Sequence, residues 1–203
     1  LIASTKPKKA ITFDAGMSLV ELADEYERLL SRNLDEEMAD ESLSRRQKVA
    51  LEDAEGALRM SKIGDTGNTS VSFRHLAMLA QVKSDEEIIN TIGEKVSDRL
   101  DRMRNWIKGP YFPDELRISI RKEPMQGLDT NIIRSLKNSL SDCEWNTSDI
   151  GNSISSCFKD NAISPRDGYR NLYLAILGVE KGPRLAPILS EVEKEKILQL
   201  LEV

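Results

Sequence analysis

The amino-acid sequence predicts an all-α fold, a multi-helix bundle arranged as one body or as two helical subdomains, with at most a short strand or extended connector. Three observations predict it. Residue patterns that cap helix starts recur along the chain, apolar residues follow them at spacings of three and four, and segments with strand-like alternation are few and short.

Four segments match the capping box, in which a serine oxygen accepts a backbone amide hydrogen and a side chain three residues later reaches back to the serine. Each predicts a helix start. Helix ends are predicted at Gly93, where the glycine accepts a left-handed backbone, and likewise at Gly109, where Pro110 then refuses further helix. The four capping boxes are Ser18–Glu21, Ser44–Gln47, Ser84–Glu87 and Ser190–Glu193.

The second half of the chain shows the same helical punctuation. Asp129 and Thr147 are predicted caps, the Ser164-Pro165 pair predicts a helix start, and Gly178 predicts the end of that helix. The segment Arg117–Arg121 alternates polar and apolar residues and is either a short edge strand or an extended connector. A second short strand candidate is Ile11–Phe13.

Two breaks divide the helical pattern. The polar, glycine-bearing segment Ile63–Ser70 predicts a mobile loop, and Pro110–Pro124 contains three prolines. We therefore predict a helical segment at residues 1–62, a first helical part at 63–113 and a C-terminal helical part at 114–203.

Composition indicates a globular protein. The chain has 203 residues, of which 39% are hydrophobic and 31% charged. No apolar run approaches the roughly 20 residues that span a bilayer, and Leu1–Ala10 carries lysines without the apolar stretch of a signal peptide. We expect a cytoplasmic protein without a membrane partner.

The inventory of reactive side chains is small. Cys143 and Cys157 lack zinc-ligand spacing, and His75 is the single histidine. Paired carboxylates, a nucleophile with its base and a phosphate-binding loop are all missing from the sequence pattern. We predict no catalytic and no metal-binding residue, two partly buried thiols, and a packing role for His75.

Charge is unevenly distributed. The net charge is −5, which argues against non-specific binding of polyanions. Residues Glu21–Arg59 contain 12 acidic and 6 basic side chains, whereas Arg99–Lys122 contain 7 basic and 3 acidic ones. An anionic partner would meet the second region and be repelled by the first; the other interpretation is two solvated faces of unequal charge.

Four sequence blocks resemble the archaeal-type class I lysyl-tRNA synthetases, in order and in spacing. The segment SVSFRHLAMLAQV resembles that family's PFRHLA-L-Q segment, and YLAILG followed by GPR resembles its C-terminal end. The blocks are Ser18–Leu29, Ser70–Val82, Arg99–Arg117 and Tyr169–Leu189. They cover nearly the whole chain, but only the carboxy-terminal part of such an enzyme, since the family's catalytic domain lies upstream of them.

The segment Arg59–Asp65, RMSKIGD, resembles the KMSKS signature of class I synthetases. In that family the signature acts with a HIGH motif on the phosphates of ATP, and a chain with one histidine has no HIGH motif. The segment instead lies just before FRHL, so we predict that Met60 is a core residue and Lys62 a surface residue.

The resemblance implies a helical cage that receives the anticodon arm of tRNA-Lys, with residues 1–62 similar to a stem-contact segment. It implies no cofactor for this region itself, while the catalytic domain of the parent enzyme would use ATP and magnesium. The partners implied are tRNA-Lys and that catalytic domain.

Two groups of residues are suited to reading RNA. Unstacked bases stack on aromatic rings and on arginine guanidinium planes, and phosphates bind cations. The first group combines aromatic surface with positive charge around a helix end, although Trp106 is equally suited to the core. It consists of Trp106, Lys108, Tyr111, Phe112 and Arg117.

The second group surrounds Lys181-Gly-Pro-Arg184. Gly182 and Pro183 predict the cap and first position of a helix, whose free amides would favour a phosphate. Arg166 and Arg170 lie one turn apart on the preceding helix. The tRNA-binding candidates are therefore Arg166, Arg170, Lys181, Arg184, Lys108, Tyr111 and Arg117.

An alternative function is a helical protein-interaction module, in which the acidic first helices dock a basic partner and the positive patches are incidental. For Lys181–Arg184 the other interpretation is a loop that merely turns the chain, with Arg184 in a salt bridge to a neighbour.

Overall fold

The computed structural model describes residues 14–61 and 71–202. Eleven α-helices and no strand lie within these residues, which confirms the predicted all-α fold. Two single turns of 3₁₀ helix, at Glu94–Val96 and Asp114–Leu116, complete them. The helices, in chain order, are α1 Met17–Leu30, α2 Leu34–Met38, α3 Arg45–Ser61, α4 Phe73–Val82, α5 Asp85–Ile92, α6 Ser97–Lys108, α7 Thr130–Asp142, α8 Thr147–Asp160, α9 Pro165–Leu177, α10 Leu185–Leu189 and α11 Lys194–Leu200.

The chain folds into two compact units. Of the described residues, the first unit comprises 14–61, 71–76 and 92–112, and the second comprises 77–91 and 113–202. The chain last passes from the first unit to the second between Phe112 and Pro113, within the proline-containing break at residues 110–124.

The first unit is built on α1, α3 and α6. The indole ring of Trp106 lies against Phe73, with ring centroids 5.3 Å apart, and edge-on to Phe112, with centroids 4.8 Å apart. Its Nε1 donates a hydrogen bond to the carbonyl oxygen of Ala15. Glu27 joins two further segments, since it accepts from the Phe73 amide and lies 3.8 Å from Arg99. Phe112 is therefore buried in the core, and Trp106 packs against it while remaining partly exposed.

The second unit has the larger apolar core. Helices α7, α8, α9 and α11 contribute side chains from which solvent is almost completely excluded, as the apolar spacing predicts. Helices α8 and α10 pack together at Gly151, where a Cβ atom would lie at an ordinary contact distance, 3.8 Å, from that of Ala186. The fully buried residues include Ile133, Leu136, Leu140, Ile150, Leu172, Ile176 and Leu189.

The segment Arg117–Arg121 is an extended connector in the second unit. The amide of Ile118 donates to the side-chain oxygen of Gln81, whose amide group in turn donates to the Leu116 carbonyl. The amide of Arg121 donates to the Ile176 carbonyl. The segment is thus held by hydrogen bonds to the Gln81 side chain and by one backbone hydrogen bond, in place of the regular backbone pairing of a β-strand. The other strand candidate, Ile11–Phe13, lies outside the described residues.

Several predicted caps are confirmed. Ser44 and Gln47, like Ser84 and Glu87, exchange hydrogen bonds as a capping box requires. Asp129 accepts from two amides at the start of α7, and Ser164 caps α9 with Pro165 at its first position. Left-handed backbone conformations occur at Gly93 and Gly178.

Four details of the helix punctuation were wrong. Ser18 lies inside α1, whose cap is Gly16, because Asp14 accepts from the amide of Gly16. Ser190 follows α10 and donates to the Pro187 carbonyl, so α11 begins only at Lys194. Asn146 replaces Thr147 as the cap of α8. Gly109 ends α6 in an extended rather than a left-handed conformation.

The burial predictions for Met60 and His75 were also wrong, and the prediction for the two cysteine thiols was right. Met60 is 72% exposed, and His75 is exposed at the first turn of α4, because α3 and α4 turn these positions away from the first unit's core. Lys62 and the loop Ile63–Ser70 lie outside the described residues. Cys143 is partly buried and Cys157 fully buried, and burial raises the pKa of the Cys157 thiol.

No helix in the described ranges combines the length and the apolar character that a membrane crossing requires.

Candidate functional site

Helix α9 carries the predicted cations Arg166 and Arg170. With about 100° of rotation per residue, Arg166, Tyr169, Arg170 and Tyr173 lie along one side of the helix. The first three are exposed, while the adjoining side of α9, next to Tyr169, contributes Leu172 and Ile176 to the core. This division of α9 fixes the direction in which the two arginines face.

The turn from α9 to α10, residues 178–184, is held by a hydrogen bond from the side chain of Tyr173. The Tyr173 hydroxyl lies 2.7 Å from the carbonyl oxygen of Pro183 and 3.1 Å from that of Gly182, and donates its hydrogen between them. Burial, and secondarily the neighbouring Tyr169, raises the pKa of Tyr173, so its hydroxyl stays protonated at neutral pH. The turn is therefore attached to α9 by the Tyr173 hydrogen bond as well as by the chain itself.

Arg170 binds this turn through Glu180. Its Nε lies 3.0 Å from Oε1 of Glu180, and a terminal nitrogen lies 2.5 Å from the same oxygen. Both side chains remain exposed to solvent. The structure thus brings Arg170 to the same turn as Lys181 and Arg184, as the sequence suggested, and adds Glu180, an acid outside the predicted site.

The predicted helix start at Gly182-Pro183 was wrong. Helix α10 begins at Leu185 and has five residues, with Arg184 as a cap residue whose side chain makes no capping bond. The carbonyls of Gly182 and Pro183 face the Tyr173 hydroxyl, and Arg184 has an extended backbone. Lys181 and Arg184 are consequently exposed cations on a fixed turn, and no helix start contributes an anion site.

Tyr169, which was not among the predicted site residues, is a surface residue of α9. Its ring contacts Phe158 edge-on, with centroids 5.1 Å apart and planes at 81°, and yet 36% of the residue is exposed. Gly168 permits this contact, since a Cβ atom there would lie 2.3 Å from the Phe158 ring. The signal available in the sequence was its position next to Arg170 and three residues after Arg166.

The first group of candidates divides between surface and core. Lys108 ends α6 and is exposed, and Tyr111 is 65% exposed, both in the first unit. Phe112 is buried. Arg117 belongs to the second unit and lies 2.9 Å from the Asp114 carboxylate, three residues earlier. Lys108 and Tyr111 are thus exposed side chains three residues apart, and Arg117 pairs with Asp114.

We call the exposed set formed by Arg166, Tyr169, Arg170, Glu180, Lys181 and Arg184 the α9–α10 surface. Four of its members are cations, one is an acid that pairs with a cation, and one is an aromatic residue seated on the core. Such a combination binds anionic chains that present flat rings, because cations neutralise phosphates and an aromatic face stacks on a base.

Comparison with known proteins gives one consistent result. The chain is 26% identical, over its full length, to the lysine–tRNA ligase of Pyrococcus horikoshii, and 25% identical, over 96% of its length, to that of Thermoplasma volcanium. A bacterial relative, the lysine–tRNA ligase of Borreliella burgdorferi, is 23% identical over 92% of this chain. No family model matches the sequence.

The match covers only part of each relative. It spans 42% of the Pyrococcus protein, 39% of the Thermoplasma protein and 38% of the Borreliella protein. The chain therefore spans about two fifths of the length of the curated relatives that it matches.

Proposed function

Because the chain is a homologue of the lysine–tRNA ligases along nearly all of its length, we propose that it is the part of such a ligase that binds the anticodon arm of tRNA-Lys. The observation that carries the proposal is a full-length match to a limited part of these ligases. The second unit adds an exposed cationic and aromatic surface of the kind that RNA loops require.

The α9–α10 surface suits a looped RNA for a physical reason. Phosphates need cations that remain accessible, and Arg166, Lys181 and Arg184 are exposed. Reading a base requires donors in a fixed position, and Tyr173 fixes the turn that carries Lys181 and Arg184. Arginine is the better reader of a base edge, because its planar guanidinium presents donors in a rigid geometry.

The acidic segment Glu21–Arg59 indicates which part of the chain the RNA should avoid. Its 12 acidic side chains repel phosphates, so we expect the RNA to avoid it and to bind the cationic surfaces elsewhere. In the first unit, Lys108 and Tyr111 offer a smaller surface of the same chemistry.

The ligation of lysine to tRNA is proposed for the whole enzyme and not for this region. We expect anticodon-arm binding here to need no cofactor, whereas the catalytic domain of the parent would use ATP and magnesium. The catalytic domain is then the second partner of this region, and the cytoplasm is the expected location.

A titration of the 203-residue chain tests the proposal directly. An RNA stem-loop with the UUU anticodon is compared with one whose loop is scrambled, by gel shift or fluorescence anisotropy at low and at moderate salt. We expect preferential binding of the UUU loop, weakening as salt rises, because much of the affinity is phosphate neutralisation. Equal or absent binding of the two RNAs would support a protein-interaction module instead.

Arg184→Ala separates two kinds of contact in the same assay. A loss of about 1–3 kcal/mol, with relaxed preference for UUU, indicates a base contact, and a smaller, sequence-independent loss indicates a phosphate contact. Arg46→Ala, an exposed cation within the acidic segment, is the matched control and should leave affinity unchanged. An unchanged affinity of Arg184→Ala would remove Arg184 from the site.

A further inference from the structure

Tyr169 combines three properties. It is 36% exposed, its ring is seated edge-on against Phe158, which is 4% exposed, and Arg166 and Arg170 lie three residues before it and one residue after it. A flexible surface tyrosine would lose side-chain freedom on binding a ligand, but a ring already held by the core loses less.

The support beneath the ring is specific. Phe158 lies over Gly168, where any Cβ atom would come within 2.3 Å of its ring, so α9 packs tightly against α8 directly beside Tyr169. The ring centroid of Tyr173 lies 6.5 Å from that of Tyr169, and Tyr173 is itself fixed by its hydrogen bonds to the turn. The orientation of Tyr169 is therefore set by two aromatic neighbours.

The cations are placed to hold a strand that passes over this ring. Around the helix axis Arg166 and Arg170 lie within about 100° of Tyr169, on the side where Tyr173 also lies. The ion pair with Glu180 holds the guanidinium of Arg170 towards the turn that carries Lys181 and Arg184. Phosphates on either side of a base at Tyr169 would thus meet positive charge.

We infer that Tyr169 is a stacking platform for one unpaired base of a single-stranded RNA loop, with Arg166 as a contact to an adjacent phosphate. The inference deepens the proposed function, on which it rests, by naming the residue on which the base stacks. Stacking accepts every base, since each has a flat face, so Tyr169 contributes affinity and strand position, whereas discrimination comes from groups that meet base edges.

The test uses the 203-residue chain and the UUU stem-loop at constant salt, with Tyr169→Leu and Tyr169→Phe. Leucine keeps an apolar contact with Phe158 but removes the flat ring, and phenylalanine keeps the ring. We expect an about 5- to 150-fold weaker Kd for Tyr169→Leu and nearly wild-type binding for Tyr169→Phe. The slope of log K against log salt should stay constant in Tyr169→Leu and become shallower in Arg166→Ala, which loses a phosphate contact.

A second measurement needs only the wild-type chain, and so remains valid if Tyr169→Leu fails to fold. Stem-loops carrying 5-iodouridine at single loop positions are photocrosslinked, and the modified peptide is identified by mass spectrometry. Crosslinking of one loop position to Tyr169 supports the inference.

The two failures are distinguishable. If the wild-type chain binds the stem-loop while Tyr169→Leu binds it equally well, or if every crosslink falls on other residues, the stacking role is overturned and the proposed function stands. If the wild-type chain binds no stem-loop at low salt, both are overturned.

Discussion

Arg170 and Glu180 form an ion pair across the turn between α9 and α10, in which two guanidinium nitrogens share one carboxylate oxygen. The pair is exposed, so its own contribution to stability is small. The effect of Glu180 on RNA binding is larger. Glu180 lies among the cations that we propose to contact phosphates, and its carboxylate competes with those phosphates for Arg170.

Glu180→Gln should therefore strengthen RNA binding. Removing one negative charge lowers repulsion of phosphates and frees Arg170, with an expected gain of about 0.5 kcal/mol at low salt that shrinks as salt rises. Anisotropy titrations with the UUU stem-loop measure it. Glu195→Gln, an exposed acid on α11, is the control for a general change in net charge. Weaker binding by Glu180→Gln would show instead that the acid positions Arg170.

Two glycines of the second unit should respond oppositely to alanine. Gly168→Ala places a Cβ atom 2.3 Å from the buried Phe158 ring, and overpacking of this kind costs about 1–3 kcal/mol. Gly151→Ala meets only an ordinary contact at 3.8 Å and should stabilise the helical α8 by about 0.5–1 kcal/mol. Chemical denaturation monitored by circular dichroism compares them. Equal effects of the two substitutions would contradict the packing described here.

Trp106 should matter for folding, and Tyr111 should not. Trp106→Ala removes a ring that packs between Phe73 and Phe112 and orphans the Ala15 carbonyl, so we expect a loss of about 3 kcal/mol. Tyr111→Ala changes a mostly exposed side chain and should alter stability by no more than about 0.5 kcal/mol. Thermal unfolding measures both. A wild-type melting temperature for Trp106→Ala would remove the indole from the core.

Acid should weaken the capping box of α5. The hydrogen bonds from Ser84, its side chain first and then its backbone, lower the pKa of Glu87 below the ordinary 4.5. A lowered pKa in the folded state stabilises the fold above pH 4.5, and this contribution is lost as pH falls through the folded-state pKa. The stability difference between wild type and Glu87→Gln should thus shrink below that pH, as thermal unfolding across the range would show.

Ser84→Ala provides the control for this prediction. Without the serine hydroxyl, the main cause of the lowered pKa is removed, so Glu87→Gln should have a much smaller pH-dependent effect in that background. The same pH dependence in both backgrounds would assign the effect to another carboxylate.

The all-α fold was predictable because helix starts are local. Ser44, Ser84 and Ser164 cap helices with partners three residues away, and nothing distant has to be known. The same locality explains the errors at Ser18 and Ser190. Asp14, and not Ser18, accepts the backbone amide of Gly16 at the start of α1. Ser190, which was expected to begin a helix, instead follows the end of the five-residue helix α10.

The site was only partly predictable, because exposure is a property of packing. The sequence marked the cations of residues 166–184, but Tyr169 and Trp106 have the same aromatic character, and only packing makes the first exposed and the second partly buried. The role of Tyr173 as a donor to two carbonyls and the pairing of Arg170 with Glu180 both cross the α9–α10 turn. Helical spacing alone specifies neither.

An NMR titration of the ¹⁵N-labelled 203-residue chain with the UUU stem-loop tests the central claim most directly. We predict that the amide signals of residues 166–184 shift progressively, that the scrambled loop shifts them less, and that amides of the acidic segment Glu21–Arg59 stay in place. Saturable shifts confined to the acidic segment, or identical shifts with both RNAs, would contradict the account.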